Sequence, residues 1–155
     1  MIFPYVKVTR FLKYQKIERL LPWIRFGIYN PENKSNILYP LGLLDSVSEI
    51  TFIDHEFGEE LGYDIKKGRK IEVLGVGGAK IDVYLHKVGI VLDNSGKDEN
   101  LRLEDLVGFS YNKFPPSMPQ QTAILGTLGF IRHFNITFNY PSFIKIENKL
   151  TLKFS

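Results

Sequence analysis

The chain has 155 residues, 44% of them hydrophobic and 24% charged, which suits one globular domain with a real core and excludes a disordered chain. It contains no cysteine, which excludes a disulfide framework, a thiolate metal site and a cysteine nucleophile. The net charge of +3 is unevenly spread: residues 1–25 hold six cations against Glu18 alone, leaving 14 basic and 16 acidic groups for the remainder.

No apolar run is long enough for a helix to span a bilayer. The start, MIFPYVKVTR, places a short apolar run before its charges, the wrong order for a secretory signal. A cytoplasmic protein is the default expectation, with a membrane-tethered parent left open. Residues 1–21 read as a basic N-terminal extension in which Lys7, Arg10, Lys13, Lys16 and Arg19 interleave with Tyr5, Phe11 and Tyr14. Such a mixture suits phosphates and stacked bases, but a solvated extension is the plainer reading, and no nucleic-acid motif supports the other.

From residue 22 to 155 a single β-rich domain is expected. WIRFGIY (23–29) has the alternation of a strand, and NPENKSN (30–36) is a turn cluster before ILYPLGLLD (37–45). DHEFGEELGY (54–63) predicts a short helix, with Asp54 as its N-cap and Gly62 at its stop. RKIEVLGVGGAKIDVYLHKVGIVLD (69–93) predicts two strands around Gly77-Gly78, then a further strand. Residues 94–122, with Pro115, Pro116 and Pro119, predict loop plus one strand. TLGFIRHFN (127–135) predicts a second short helix, and residues 135–154 a strand pair turning at Tyr140-Pro141-Ser142. The sum is a mostly-β barrel with one or two short helices.

Several chemistries fail on spacing. LGVGGAK (74–80) has Lys80 where a dinucleotide fingerprint needs glycine, a strand where it needs a helix, and no Gly-Lys-Ser/Thr. A glycine-tipped hairpin is the better reading, as plain turn or as a mobile lid. His55, His86 and His133 lie far apart with no metal-ligand spacing, and no Gly-x-Ser-x-Gly elbow supports a serine triad. Asp45 stands out because Leu41, Leu43 and Leu44 precede it and Ile50, Phe52 and Ile53 follow closely. A carboxylate carried into an apolar setting is costly to ionise, so it is either at an exposed turn or held for its chemistry.

Three segments in order resemble the retropepsin-like aspartic proteases, over roughly residues 22–150. LLDSVSEITFI is similar to the family's catalytic loop, EVLGVGGAK to its glycine-rich flap, and AILGTLGFIRHFNITFNY to its closing segment. The resemblance implies a single-domain acid-protease barrel acting as a homodimeric aspartic endopeptidase. In it Asp45 is the catalytic carboxylate, paired with Asp45 of a second copy, and Ser46, Val47 and Ser48 complete the loop. Gly75, Val76, Gly77 and Gly78 would form the flap, and Ala123 and Ile124 would line a side-chain pocket. The expected partners are a second copy and a peptide or protein substrate, with no metal, no organic cofactor and no nucleic acid. Val47 stands where the family has glycine, and Thr127-Leu128 follows Gly126 where the family has arginine and Asn or Asp. These departures point to the alternative, a catalytically silent dimerisation or peptide-binding domain of the same fold.

Overall fold

A computed structural model describes residues 1–74, 78, 80–93, 100–111 and 121–149. The protein is mostly β, and its main sheet curls into half a barrel. That sheet has nine strands. Eight follow one another in the order β4 (Trp23–Arg25), β7 (Leu41–Leu44), β12 (Ala123–Leu125), β8 (Phe52–Asp54), β11 (Leu101–Ser110), β10 (Lys80–Leu92), β5 (Gly27–Asn30) and β6 (Asn33–Leu38). The ninth, β9 (Arg69–Leu74), pairs with the first half of β10. A three-stranded sheet of β1 (Ile2–Phe3), β14 (Phe143–Asn148) and β13 (Phe134–Asn139) packs on it, and β2 (Val6–Leu12) and β3 (Gln15–Leu21) form a separate hairpin.

One core joins the two larger sheets. Ile24, Phe26, Ile28, Ile53, Ile90, Leu92, Phe109 and Leu125 of the main sheet meet Ile144 and Ile146 of β14, with Phe130 between them. Each such side chain, taken fully out of water, contributes about 1.5–3 kcal/mol. The run Val88-Gly89-Ile90-Val91-Leu92 has no polar member because this half of β10 lies between β11 and β5 and is buried throughout. The chain's first residue is tied in as well: the Met1 ammonium donates to the Ile146 carbonyl at 2.7 Å.

Several expectations meet corrections. The second helix is absent: residues 127–135 hold only a 3₁₀ turn at Ile131–His133, and β13 begins at Phe134. Gly129, at φ +88°, breaks any helix there, and the Leu128 amide is already donated to the Glu49 carbonyl. The turn expected over residues 30–36 shrinks to Pro31-Glu32, because β6 starts at Asn33. The two strands expected after the glycine tip are one continuous strand, β10. Residues 1–21, to which the sequence assigns no element, are mostly strand. The first helix forms as expected: α1 (His55–Glu60) is capped by Asp54, whose carboxylate accepts from the Glu56 amide at 3.1 Å, and the chain leaves through Gly62 at φ +84°.

A buried ion cluster ties β11 to the 3₁₀ turn. The Asp105 side chain is 6% exposed and binds the Arg132 guanidinium through both oxygens, with Nε–Oδ2 at 2.8 Å. His133 Nε2 lies 2.6 Å from Asp105 Oδ2, and the Leu106 amide donates to Oδ1 at 2.7 Å. Burial pushes the Asp105 carboxyl up, but the bonds to His133, Arg132 and the Leu106 amide outweigh it and hold the group below its ordinary value. A depressed folded-state value gives stability that is present above the unfolded value of about 4 and is lost as pH falls through the folded one. Urea unfolding across the acid range is expected to show this loss in the wild type. Asp105→Asn is expected to be about 2 kcal/mol less stable at neutral pH and to lack that part of the acid dependence. Parallel acid limbs in the two proteins would remove the assignment.

Candidate active site around Asp45

The Asp45 loop is built by an inserted strand. β7 and β8 are consecutive, yet β12 lies between them, parallel to β7 (Ala123–Gly42, Leu125–Leu44) and antiparallel to β8 (Ala123–Ile53). The apolar stretch before Asp45 is β7, with Gly42 and Leu44 buried. The apolar stretch after it is β8, with all three residues buried. The connection between them, residues 45–51, therefore rises at one end of the inserted strand.

The closing segment clamps this connection from below. The Asp45 amide donates to the Leu125 carbonyl at 3.1 Å, and the Thr127 amide to the Ser48 carbonyl at 2.9 Å. The Leu128 amide donates to Glu49 and the Thr51 amide to Leu128. The buried Thr51 hydroxyl takes the Gly126 amide at 3.0 Å and lies 3.3 Å from the Gly126 carbonyl. Gly126 is required by closeness: a Cβ there would sit 2.5 Å from the Ile50 carbonyl oxygen and 2.7 Å from that of Ser48.

Asp45 itself is half-buried. Its Oδ1 accepts from the Val47 amide at 3.0 Å and the Ser48 amide at 3.3 Å, an Asx turn that fixes the carboxylate on its own loop. Among the described residues nothing is bonded to its Oδ2. The Ser48 hydroxyl donates to the Ile50 carbonyl at 2.9 Å and so braces the loop. Ser46 is exposed at the outer turn, and the Val47 side chain projects with 89% of its surface in solvent. The structure thus brings Asp45, Ser46, Val47 and Ser48 together on one clamped turn beside β12. Ala123 is fully buried and Ile124 half-buried, so Ile124 is the member of that pair with surface to offer a ligand.

The hairpin of β9 and β10 is formed, and its last register pair is Leu74–Lys80. Gly75, Val76 and Gly77 of the expected flap lie outside the described residues, as does Ala79, while Gly78 is exposed with φ +80°. His86 Nε2 is 2.9 Å from the Ile65 carbonyl and His133 is bound to Asp105, both structural placements. His55 stacks on Tyr111, and its buried Nδ1, 3.3 Å from Asp54 Oδ1, makes no hydrogen bond of good geometry. Asp54, His55 and Glu56 bring three ligand-type atoms within 4.8 Å of one another, but the Asp54 oxygen nearest His55 is already the cap of α1. An open cavity of about 410 Å³, lined by Asn30, Glu32, Tyr63, His86 and Lys87 among others, includes none of the expected site residues.

Sequence reasoning missed Asp105 and Arg132. They stand 27 residues apart, and each reads as an ordinary solvated charge. No protein-family model matches this chain, and no curated protein matches it.

Proposed function

We propose that this chain is a retropepsin-like aspartic endopeptidase domain that completes its site with a second copy of itself. The observation that carries the reading is the Asp45 carboxylate. One oxygen is fixed by two backbone amides, the other has no bonded partner among the described residues, and the whole turn is locked by a strand inserted between its two arms. The resemblance in order of the Asp-Ser loop, the glycine-tipped hairpin and the closing segment adds the reaction.

Two copies facing across a twofold axis would set two such carboxylates close together. Like charges at that range cannot both ionise comfortably, so the pair holds one proton; aspartic proteases are the standing example of the effect. The charged member takes a proton from water as the water oxygen adds to the scissile carbonyl carbon. The protonated member gives its proton to the carbonyl oxygen. Collapse of the tetrahedral species, with a proton passed to the leaving nitrogen, separates the two peptide products. Water is the nucleophile, so the chemistry calls for no metal or organic cofactor.

A second reading, the silent domain, is favoured by one observation. Val47 places a β-branched side chain, almost fully exposed, at the turn beside the carboxylate, where substrate backbone would have to lie. Wild type and Val47→Gly, incubated with a broad library of unstructured peptides from about pH 3 to about 7, separate the readings. Cleavage by both, or faster cleavage by Val47→Gly, supports the enzyme. Cleavage by Val47→Gly alone identifies a fold closed by one side chain. Silence from both removes the peptidase.

A further inference from the structure

The hairpin of β2 and β3 stands apart from the domain it belongs to. It is a two-stranded sheet of its own, with seven register pairs from Val6–Leu21 to Leu12–Gln15. Every residue from 9 to 16 is exposed, so the distal half is not covered by any of the described residues. A bare hairpin is at best marginally stable in water, and exposed connections are where binding residues concentrate.

The chemistry of the projecting end is specific. Phe11, Leu12 and Tyr14 are 76%, 47% and 102% exposed, three large apolar or amphipathic side chains within four positions. Glu18 is bound by both Lys7 and Lys16, which compensates that part of the ribbon. Among the described residues Arg10, Lys13 and Arg19 have no carboxylate partner. Lys13 sits at the turn with φ +53°, a left-handed conformation that glycine or asparagine adopts more readily. The chain carries a cation there instead.

We infer that the β2–β3 hairpin is a docking arm for an anionic lipid bilayer, its Phe11-Leu12-Tyr14 tip entering the interface and Arg10, Lys13 and Arg19 meeting the headgroup phosphates. Aromatic side chains settle at the headgroup level, and cations near an anionic surface are drawn to it. Leu12 decides between a bilayer and a single-stranded nucleic acid: a nucleic acid rewards flat stacking faces, whereas an aliphatic side chain at the extreme end gains only from an apolar medium. The charge distribution agrees, since the arm carries five cations against Glu18 while the rest of the chain holds 15 basic and 16 acidic groups. This inference is independent of the peptidase reading.

Co-sedimentation of the full chain with vesicles tests it, comparing phosphatidylcholine alone with phosphatidylcholine containing about a third phosphatidylserine. Binding is expected only to the anionic vesicles and is expected to weaken steeply from about 0.1 to about 0.5 M salt. Replacing Arg10, Lys13 and Arg19 together by Glu is expected to abolish binding, since each cation strengthens it about fivefold. Phe11→Ser, Leu12→Ser and Tyr14→Ser combined are expected to weaken it at least about tenfold with every charge retained. Both variants change only exposed residues, and an unchanged thermal midpoint is the check that the core is intact. Equal binding to both vesicle types, no binding to either, or full binding by the serine variant would each overturn the proposal. So would an oligonucleotide that binds the arm while the anionic vesicles do not.

Discussion

Asp45→Asn is expected to lower peptide cleavage by at least about a thousandfold while leaving the fold and any dimer intact. The amide oxygen of asparagine can accept from the Val47 and Ser48 amides as the carboxylate does, so the turn keeps its shape. What the amide cannot do is take a proton from water. Asp45→Ala makes the complementary case: it leaves the Val47 amide without its acceptor and the Ser48 amide with only the Asp45 carbonyl, 3.2 Å away, and is expected to cost about 1–2 kcal/mol of stability as well as activity. If two copies pair as proposed, the wild-type rate is expected to follow a bell-shaped pH profile. Sedimentation at micromolar concentration supplies the remaining readout, since a strictly monomeric wild type has no pair. An asparagine variant that kept more than about a tenth of the wild-type rate would dismiss Asp45 as the base.

Gly126→Ala is expected to cost about 3 kcal/mol of stability. The added carbon would meet two carbonyl oxygens of the opposite segment, those of Ile50 and Ser48, at distances no Cβ tolerates. Backbone atoms cannot step aside as a side-chain tip can, and moving them breaks the Thr51–Gly126 and Thr127–Ser48 bonds that lock the Asp45 turn. The substitution is therefore expected to lower activity beyond the fraction unfolded, measured by comparing urea unfolding with cleavage at a temperature where the variant is folded. A loss under about 0.5 kcal/mol would show that the two segments are less tightly bound than their geometry indicates.

Legibility in the sequence followed the range of the interactions. The Asp54 cap and the Gly62 stop are contacts within a few residues, and both were readable. The hairpin between β9 and β10 and the one turning at Tyr140-Pro141 were readable for the same reason, as alternation around turn residues. The segment 127–135 looks helical locally, but Leu128 and Thr127 are claimed by residues 48–51 across a long loop, and tertiary pairing overrode the local pattern. The N-terminal hairpin escaped notice because its cations recur at every third position, 7, 10, 13, 16 and 19, with Arg19 and Arg10 opposite Val8 and Ile17, and so hide the strand period of two. At the candidate site, Asp45 was legible as an oddity of placement. Its two amide donors and the clamp beneath it were not, because backbone bonds leave no mark on residue identity.

The insertion of β12 also dictates when this protein can exist. Thr51 and Gly126, which bond each other, are 75 residues apart, and Leu41 and Thr122 are 81 apart. Closing loops of that size must precede the contacts that reward it, so folding is expected to be slow compared with a chain of local hairpins. During synthesis β7 and β8 emerge long before the strand that fills the gap between them, and each waits with an open edge. A nascent chain short of residue 125 has every atom of the Asp45 turn and none of its clamp. Whatever Asp45 does, it can begin only once residues 125–128 have been made and have closed on its turn.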